Sequence, residues 1–256
     1  MKYYKIDPTG NITLIVSTPV PRERQRDTAV ELLSRDPEAE QVGFLEFPEN
    51  SDCVLRLQMM GGEFCGNASI SCAALIAEKR GIERDSLRLE ISGAEAPLSI
   101  EVERRGEHSY SGTVAMPLPK SIDAVRLGEY MLPVVSFSGI SHIISEGALT
   151  REEAEANIRR WCGELKAEAL GIMLLQNGQL SPLVYVASTD TAVWENSCAS
   201  GSTAAAAYLA VREGRSGSCG FAQTGGTLTV GAVLSDGRLT ELTLTGSARI
   251  MGEYLI

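Results

Sequence analysis

Two alanine-rich stretches decide the fold of this chain. Residues 65–81 read CGNASISCAALIAEKRG, and residues 198–214 read CASGSTAAAAYLAVREG. Each begins with a cysteine, continues through small residues into an apolar run, and ends sixteen positions later at a glycine, the usual residue just past the end of a helix. We therefore predict two helices that begin at the two cysteines and stop at the two glycines.

The two stretches also indicate an internal duplication. Cys65 and Cys198 lie 133 positions apart in a chain of 256 residues, and a glycine-containing turn and a short strand pattern follow each helix, at 92–100 and 224–230. A repeat of this length has the size of a lobe, not of a solenoid unit. We expect an N-terminal lobe over 1–118 and a C-terminal lobe over 119–256. The last strand of the C-terminal lobe could pair with strands of the first lobe.

The predicted fold class is α+β. The two helices are apolar on almost every side, so each must be buried on every side. Further helices are predicted at 28–33 and at about 151–166, and the remaining patterns favour strands, at 11–16, 54–57, 87–91, 98–102, 183–186, 228–230 and 239–244. We expect two pseudo-symmetric lobes, each an antiparallel, barrel-like sheet wrapped around one central helix.

Composition excludes several classes of protein. The chain is 44% hydrophobic and 22% charged with a net charge of −10, which argues against nucleic acid and anionic membranes as partners. No segment approaches the ~18 apolar residues of a membrane-spanning helix, and the first residues lack the apolar core of a signal peptide. We expect a cytoplasmic protein whose six cysteines are reduced.

A cysteine at a helix N-terminus is a candidate reagent. The unpaired amides and the helix dipole are expected to lower the thiol pKa from about 8.5, and the amides of the next two residues could hold a carboxylate. Two such thiols, one from each lobe, would suit removal of a proton from one face of a carbon and delivery of a proton to the other face. The other cysteines lack this context and are interpreted as packing residues: Cys53, Cys72, Cys162 and Cys219.

Other chemistries find little support in the sequence. The chain has no CxxC pair, its two histidines are His108 and His142, and their spacing is not that of a zinc site. No GxSxG motif of a serine hydrolase is present. A non-catalytic amino-acid-binding protein, or a chain whose cysteines form a redox switch, stays open as an alternative to an enzyme.

Several motifs resemble signatures of the diaminopimelate epimerase superfamily: GGEFCGNA at 61–68, ENSCASGS at 195–202, GGTLTV at 225–230, KIDPTGN at 5–11 and EQVGF at 40–44. Within it, EFCGNA at 63–68 and WENSC at 194–198 look most similar to the histidine racemases that supply D-histidine for staphylopine-type opine metallophores. The resemblance implies Cys65 and Cys198 as catalytic base and acid, and no pyridoxal phosphate, metal or other cofactor.

Position by position, the resemblance implies substrate contacts from Asn11, Gln41, Gln58, Gly66, Asn67, Glu195, Ala199 and Ser200. We add Glu40 as an alternative to Glu195 for the substrate ammonium, and His142 and Asn196 as further candidates. Where diaminopimelate epimerases hold a distal amino-acid head with asparagines and an arginine, this chain has Ile140, Ala169 and Asn196.

Loss of an arginine that pairs with a carboxylate favours a substrate with a single amino-acid head, and histidine is the substrate that the closer resemblance implies. A diaminopimelate epimerase with a rearranged distal site and a racemase of another amino acid stay open. The oligomeric state is left open, with a homodimer as the candidate.

Overall fold

The computed structural model describes all residues, 1–256, in sixteen strands and four helices. The chain divides into two compact units. Unit 1 contains Met1–Ala115 and Thr245–Ile256, and unit 2 contains Met116–Leu244. The last strand, β16 (Arg238–Leu255), therefore begins in unit 2 and ends in unit 1.

Unit 1 is a closed sheet on which two helices pack. Its other elements, in chain order, are β1 (Lys2–Asp7), β2 (Thr13–Val16), α1 (Arg22–Arg35), β3 (Gln41–Glu46), β4 (Arg56–Met59), α2 (Gly66–Arg80), β5 (Arg84–Ile91), β6 (Leu98–Gly106) and β7 (Ser109–Ala115). The strands pair in chain order from β1 to β7, β16 follows β7, and β16 also pairs with β1. Helix α2 packs on β2, β5, β6 and β7.

Unit 2 repeats most of this order of elements. It contains β8 (Ser121–Leu127), β9 (Tyr130–Ser136), β10 (Ser141–Ser145), α3 (Arg151–Leu165), β11 (Ala169–Gln176), β12 (Gln179–Val186), β13 (Thr191–Trp194), α4 (Ala199–Glu213), β14 (Gly217–Gln223) and β15 (Gly226–Ser235). The strand order is β8-β9-β10-β11-β12-β14-β15-β16, with β13 attached to β12. Helix α4 packs on β9, β10, β11, β14 and β15.

The expectation of purely antiparallel sheets is wrong at four strand pairs. β2 and β3 run parallel, as do β10 and β11, β4 and β5, and β12 and β14. In each case a helix lies between the two strands in the chain and returns it to the same end of the sheet, which is the connection that parallel pairing requires. The strand pairing is therefore mixed in both units.

The two alanine-rich helices form where the sequence predicts them. α2 buries every residue from Gly66 to Ala77, and α4 is buried over most of its length. Gly81 and Gly214 end the helices with φ of 65°, a left-handed conformation that glycine adopts without steric cost. None of the four helices is long and apolar enough to span a lipid bilayer.

The other two helices differ in how well their patterns predicted them. α3 matches the predicted 151–166 closely and begins with a capping box made by Thr150 and Glu153. α1 extends well beyond the predicted 28–33. The prediction was short because only Gln25, Ala29 and Leu32 of the helix are buried, so its charged first turns show no helical repeat of apolar residues.

Close packing of α2 depends on Gly112 in β7. A methyl group added there would lie 2.6 Å from Cγ2 of Ile70, whose β-branched side chain has little rotamer freedom in a helix. We therefore expect Gly112→Ala to destabilise the protein by about 1–3 kcal/mol.

Gly163 in α3 is the matched control, because no atom lies within 4 Å of an added methyl group. Gly163→Ala should stabilise the protein by about 0.5–1 kcal/mol through helix propensity. Urea unfolding followed by circular dichroism would compare the two variants, and equal shifts of their midpoints would contradict the close-packing argument.

Candidate active site

In unit 1 the site is built on the first turn of α2. Cys65 is the N-cap residue, with extended backbone angles, and its sulfur accepts a hydrogen bond from the Ala68 amide at 3.4 Å. Its carbonyl oxygen accepts both the amide and the hydroxyl of Ser69, at 3.0 and 2.7 Å. The thiol is therefore fixed at the point where the unpaired amides of the helix emerge.

Unit 2 contains the same local structure at Cys198. This residue is the N-cap of α4, and its sulfur accepts the Gly201 amide at 3.4 Å. Ser202 donates its amide and its hydroxyl to the Cys198 carbonyl at 3.0 and 2.7 Å. Two helices in one chain thus begin with the same arrangement of thiol, amide and serine hydroxyl.

A network of two side-chain amides ends at the Cys65 thiol. The sulfur donates to Oε1 of Gln41 at 3.2 Å, and Nε2 of Gln41 donates to Oδ1 of Asn11 at 2.6 Å and to Oγ1 of Thr13 at 2.7 Å. Asn11 in turn donates to the carboxylate of Glu40. Three of the residues predicted to contact substrate, Asn11, Glu40 and Gln41, thus form one network with the thiol.

A different set of groups contacts Cys198. The Ser200 hydroxyl lies 3.6 Å from the sulfur, and Nε2 of His142 lies 3.1 Å from the same hydroxyl. The Glu195 carboxylate also hydrogen-bonds the thiol. Oε1 of Gln223 accepts the Cys198 amide at 2.9 Å, while Nε2 of Gln223 donates to Ser202 at 3.0 Å.

The expectation of lowered thiol pKa values is wrong for the ligand-free protein. Burial raises the pKa of Cys65 to about 11, and the charge of Glu63 adds to the effect. Burial likewise raises the pKa of Cys198 well above its ordinary value, with a further contribution from Glu195. The helix amides do act in the predicted direction, but the cost of burying a thiolate is larger. Both cysteines therefore rest as thiols at neutral pH.

His142 is a neutral, fully buried side chain. Its exposure is 0%, and burial lowers its pKa to about 3. Nδ1 is buried without a hydrogen-bond partner, and Nε2 makes the hydrogen bond of the ring, to the Ser200 hydroxyl. Only glycine fits at position 171 on the neighbouring strand, because an added methyl group would lie 2.2 Å from Nδ1.

The remaining predicted substrate contacts divide into two groups. Gly66, Asn67 and Ala199 lie in the first turns of α2 and α4, and Asn67 is buried with 3% exposure. Gln58 instead accepts a hydrogen bond from Arg56 at 3.3 Å and donates to the Met59 carbonyl at 3.2 Å. The backbone carbonyl of Asn196 accepts the Gly225 amide at 2.9 Å.

Thr13 and Gln223 are functional candidates that the sequence did not reveal. Thr13 lies 28 positions from Gln41 and Gln223 lies 25 positions from Cys198, so no local spacing connects them. The only available signal was proximity to a motif, since Thr13 follows Asn11 by two residues and Gln223 precedes the Gly225-Gly226 turn.

The other cysteines do not share this environment. Cys53, Cys72 and Cys162 are buried, Cys219 is half-buried, and all six cysteines are free thiols. No group of three or more histidine, cysteine, aspartate or glutamate side chains is arranged to hold a metal ion.

The raised thiol pKa values predict how the ligand-free protein reacts with iodoacetamide. Thiolate is the reactive form, so a pKa of about 11 at Cys65 makes labelling slow at neutral pH, and the rate should still be rising at pH 10. Peptide-resolved mass spectrometry would follow both cysteines, with glutathione as the reference thiol. A rate at Cys65 that levels off below pH 8 would contradict the effect of burial.

Two solved structures resemble this fold over its full length. A "Predicted Epimerase" from Pseudomonas aeruginosa matches 100% of this chain and 98% of that chain with a TM-score of 0.75 and 14% identity. A hydroxyproline epimerase from Agrobacterium vitis, with bound trans-4-hydroxy-L-proline, matches 100% and 90% with a TM-score of 0.68 and 14% identity. The chain thus has the mixed α+β, sheet-dominated fold of these epimerases.

Comparison of sequences identifies the family. The family model described as the histidine racemase CntK N-terminal domain matches residues 1–254. A histidine racemase of Fusobacterium nucleatum subsp. nucleatum is 34% identical over 220 residues, which cover 82% of this chain and 81% of the relative. Since the model spans nearly the whole chain and this relative matches most of it, the chain belongs to the histidine racemase family.

Proposed function

We propose that this chain interconverts L- and D-histidine by moving the Cα proton between substrate and two thiols, those of Cys65 and Cys198. The observation that carries the proposal is the repeated local structure: a cysteine caps a buried helix twice, with an amide 3.4 Å from the sulfur in both cases. A packing role would not require the same thiol, amide and serine arrangement in both units.

The first turns of the two helices are suited to bind the substrate carboxylate. Backbone amides at a helix N-terminus attract anions, and neither α2 nor α4 has an acidic residue in its first turn. Gly66, Asn67, Ala199 and Ser200 supply the amides. The substrate ammonium then requires an acceptor, and Glu195 and Glu40 are the carboxylates in the two thiol networks.

The proposed chemistry moves one proton in each direction. One cysteine, as thiolate, takes the Cα proton and leaves a carbanion stabilised by the preorganised polar groups of the site. The S–H bond of the other cysteine then breaks, and its proton adds to the opposite face of Cα. A second thiolate remains, so the roles are exchanged when the product leaves.

Burial of the thiols has two opposite effects on this reaction. A thiol with a raised pKa forms a stronger base towards the weakly acidic Cα–H, but less of that thiolate exists at neutral pH. A bound ammonium group near the sulfur would favour the thiolate. Substrate binding would thus generate the base that the free protein holds in its neutral form.

The mechanism requires two equivalent lobes that present their thiols to one carbon. We propose that residues 1–118 and 119–256 descend from one duplicated lobe, and that each thiol serves one face of Cα. The support is the shared order of strand pairings and of the helices α2 and α4 in the two units.

We also propose that the D-histidine product is used by an enzyme that couples it into an opine-type metallophore, in the cytoplasm. The support for the metallophore is the resemblance of the motifs around Cys65 and Cys198. The six unpaired cysteines are consistent with a reducing compartment. A gene for an opine dehydrogenase beside this one would support the role.

Replacement of either cysteine by serine should nearly abolish racemisation. Serine has a similar shape, but its hydroxyl is too weak an acid to form the required base. We expect Cys65→Ser and Cys198→Ser each to lower the rate by at least about a hundredfold, measured as conversion of L-histidine in a chiral assay and as deuterium incorporation at Cα in D2O.

Cys219→Ser is the matched control, because Cys219 is a half-buried thiol of unit 2 outside both networks. Its rate should equal that of the wild type. A full rate in either of the first two variants would remove that cysteine from the mechanism. Exchange with LL-diaminopimelate or another amino acid but not with histidine would favour the alternative substrates, and histidine binding without exchange would indicate a binding protein.

A further inference from the structure

A chain of three hydrogen bonds connects Glu40 to the Cys65 thiol. Asn11 donates Nδ2 to the Glu40 carboxylate, and Oδ1 of Asn11 accepts Nε2 of Gln41 at 2.6 Å. Oε1 of Gln41 then accepts the S–H of Cys65 at 3.2 Å. Both amides are therefore engaged at their nitrogen and at their oxygen.

The carboxylate of Glu40 determines the direction of this chain. An ionised carboxylate only accepts hydrogen bonds, so Asn11 must turn its NH2 group towards Glu40 and its oxygen towards Gln41. Gln41 must then turn its own NH2 group towards Asn11. Its carbonyl oxygen is left facing Cys65.

Thr13 fixes Gln41 in the same orientation independently. The hydroxyl of Thr13 donates its one proton to the backbone carbonyl of Asn11 at 3.0 Å, so its oxygen can only accept from Nε2 of Gln41, at 2.7 Å. Thr13 has 0% exposure, and a buried hydroxyl without a partner is costly. Reversal of the Gln41 amide would therefore break favourable contacts at two places.

We infer that Glu40 and Thr13 are positioning residues that hold Cys65 in its protonated form in the free enzyme, by locking the Gln41 amide with its oxygen towards the thiol. A carbonyl oxygen can accept an S–H bond, but it has no proton to donate to a thiolate. In unit 2, β11 begins at Ala169 where β3 of unit 1 begins at Gln41, so the corresponding strand start has no amide side chain. Both thiols are therefore held in their protonated form, but by different groups: the Gln41 amide at Cys65 and the Glu195 carboxylate at Cys198.

This inference rests on the proposed function for its consequence in catalysis. In the direction in which Cys65 is the proton donor, Cys198 first loses its own proton to solvent and then takes the Cα proton. The Cys65 S–H bond breaks as the new Cα–H bond forms on the opposite face. In the reverse direction of racemisation, Cys65 must first lose its proton, which the orientation of the Gln41 amide opposes.

The charged groups that act on the Cys65 thiol are few. Glu63 acts from the preceding loop through its charge, and Glu40 acts through the two amides. β2 and β3 contribute the uncharged Thr13 and Gln41, and the first turn of α2 has no acidic residue. Any test must therefore separate the orientation of Gln41 from the loss of a negative charge.

The experiment measures the pH dependence of iodoacetamide labelling at Cys65 in the ligand-free, full-length protein. In Glu40→Gln the new amide can accept or donate, so Asn11 and Gln41 can reverse and present NH2 to the sulfur. We expect the labelling midpoint to fall by about one pH unit. Thr13→Val alone should shift the midpoint little, because Asn11 still holds Gln41.

The double variant distinguishes orientation from charge. Thr13→Val changes no charge, so in the Glu40→Gln background it should lower the midpoint further, by more than its effect alone. Glu38→Gln is the matched control, since Glu38 pairs with Lys5 at 2.8 Å and is 75% exposed; its midpoint should equal that of the wild type. An unchanged midpoint in Glu40→Gln, or a double variant no different from Glu40→Gln, would overturn the lock.

This test is independent of the proposed reaction, because labelling uses no substrate. If the protein fails to racemise histidine but shows the expected labelling midpoints, the proposed function is wrong and the inference about Gln41 stands. An active protein would provide a second readout, in which Glu40→Gln shifts the pH profile of kcat/KM to lower pH while circular dichroism shows an intact fold.

Discussion

The absence of a polar face on α2 and α4 is the constraint on which the rest of the structure depends. A helix that is apolar on all sides cannot lie on a surface, so the strands must enclose it. Small residues such as Gly112 allow the sheet to approach the helix closely. The N-terminus of the helix, where the cysteine lies, is consequently held among strands that carry polar side chains to the sulfur.

Enclosure also decides the chemistry of the thiols. A helix N-terminus favours a thiolate, whereas burial disfavours it. In the free protein burial has the larger effect on the thiol pKa at both Cys65 and Cys198. The local hydrogen bonds differ between the two cysteines: the side-chain amide of Gln41 contacts Cys65, and the Ser200 hydroxyl and the Glu195 carboxylate contact Cys198. The two N-cap cysteines thus share a local backbone geometry and differ in the side chains that contact them.

Local pattern predicted some of these features and not others. The glycine stops and small-residue content of α2 and α4 are encoded within each helix, so both were predicted almost to the residue. The parallel pairing of β2 with β3 was not predicted. It depends on where the helix between the two strands returns the chain, and the composition of the strands does not report this. Cys65 and Cys198 are site candidates through their repeated context, and Asn11 and Gln41 through resemblance. Thr13 and Gln223 reach the site only through tertiary folding, and the thiol pKa depends on enclosure that no local motif reports.

The path of β16 has a consequence for how the protein is made. Residues 245–256 complete the sheet of unit 1 by pairing with β1 and β7, yet they are translated after the whole of unit 2. Residues 1–115 therefore leave two sheet edges unpaired, at β1 and β7, until residues 245–256 have been synthesised. During that interval α2 is enclosed by a sheet that still lacks the strand between β7 and β1.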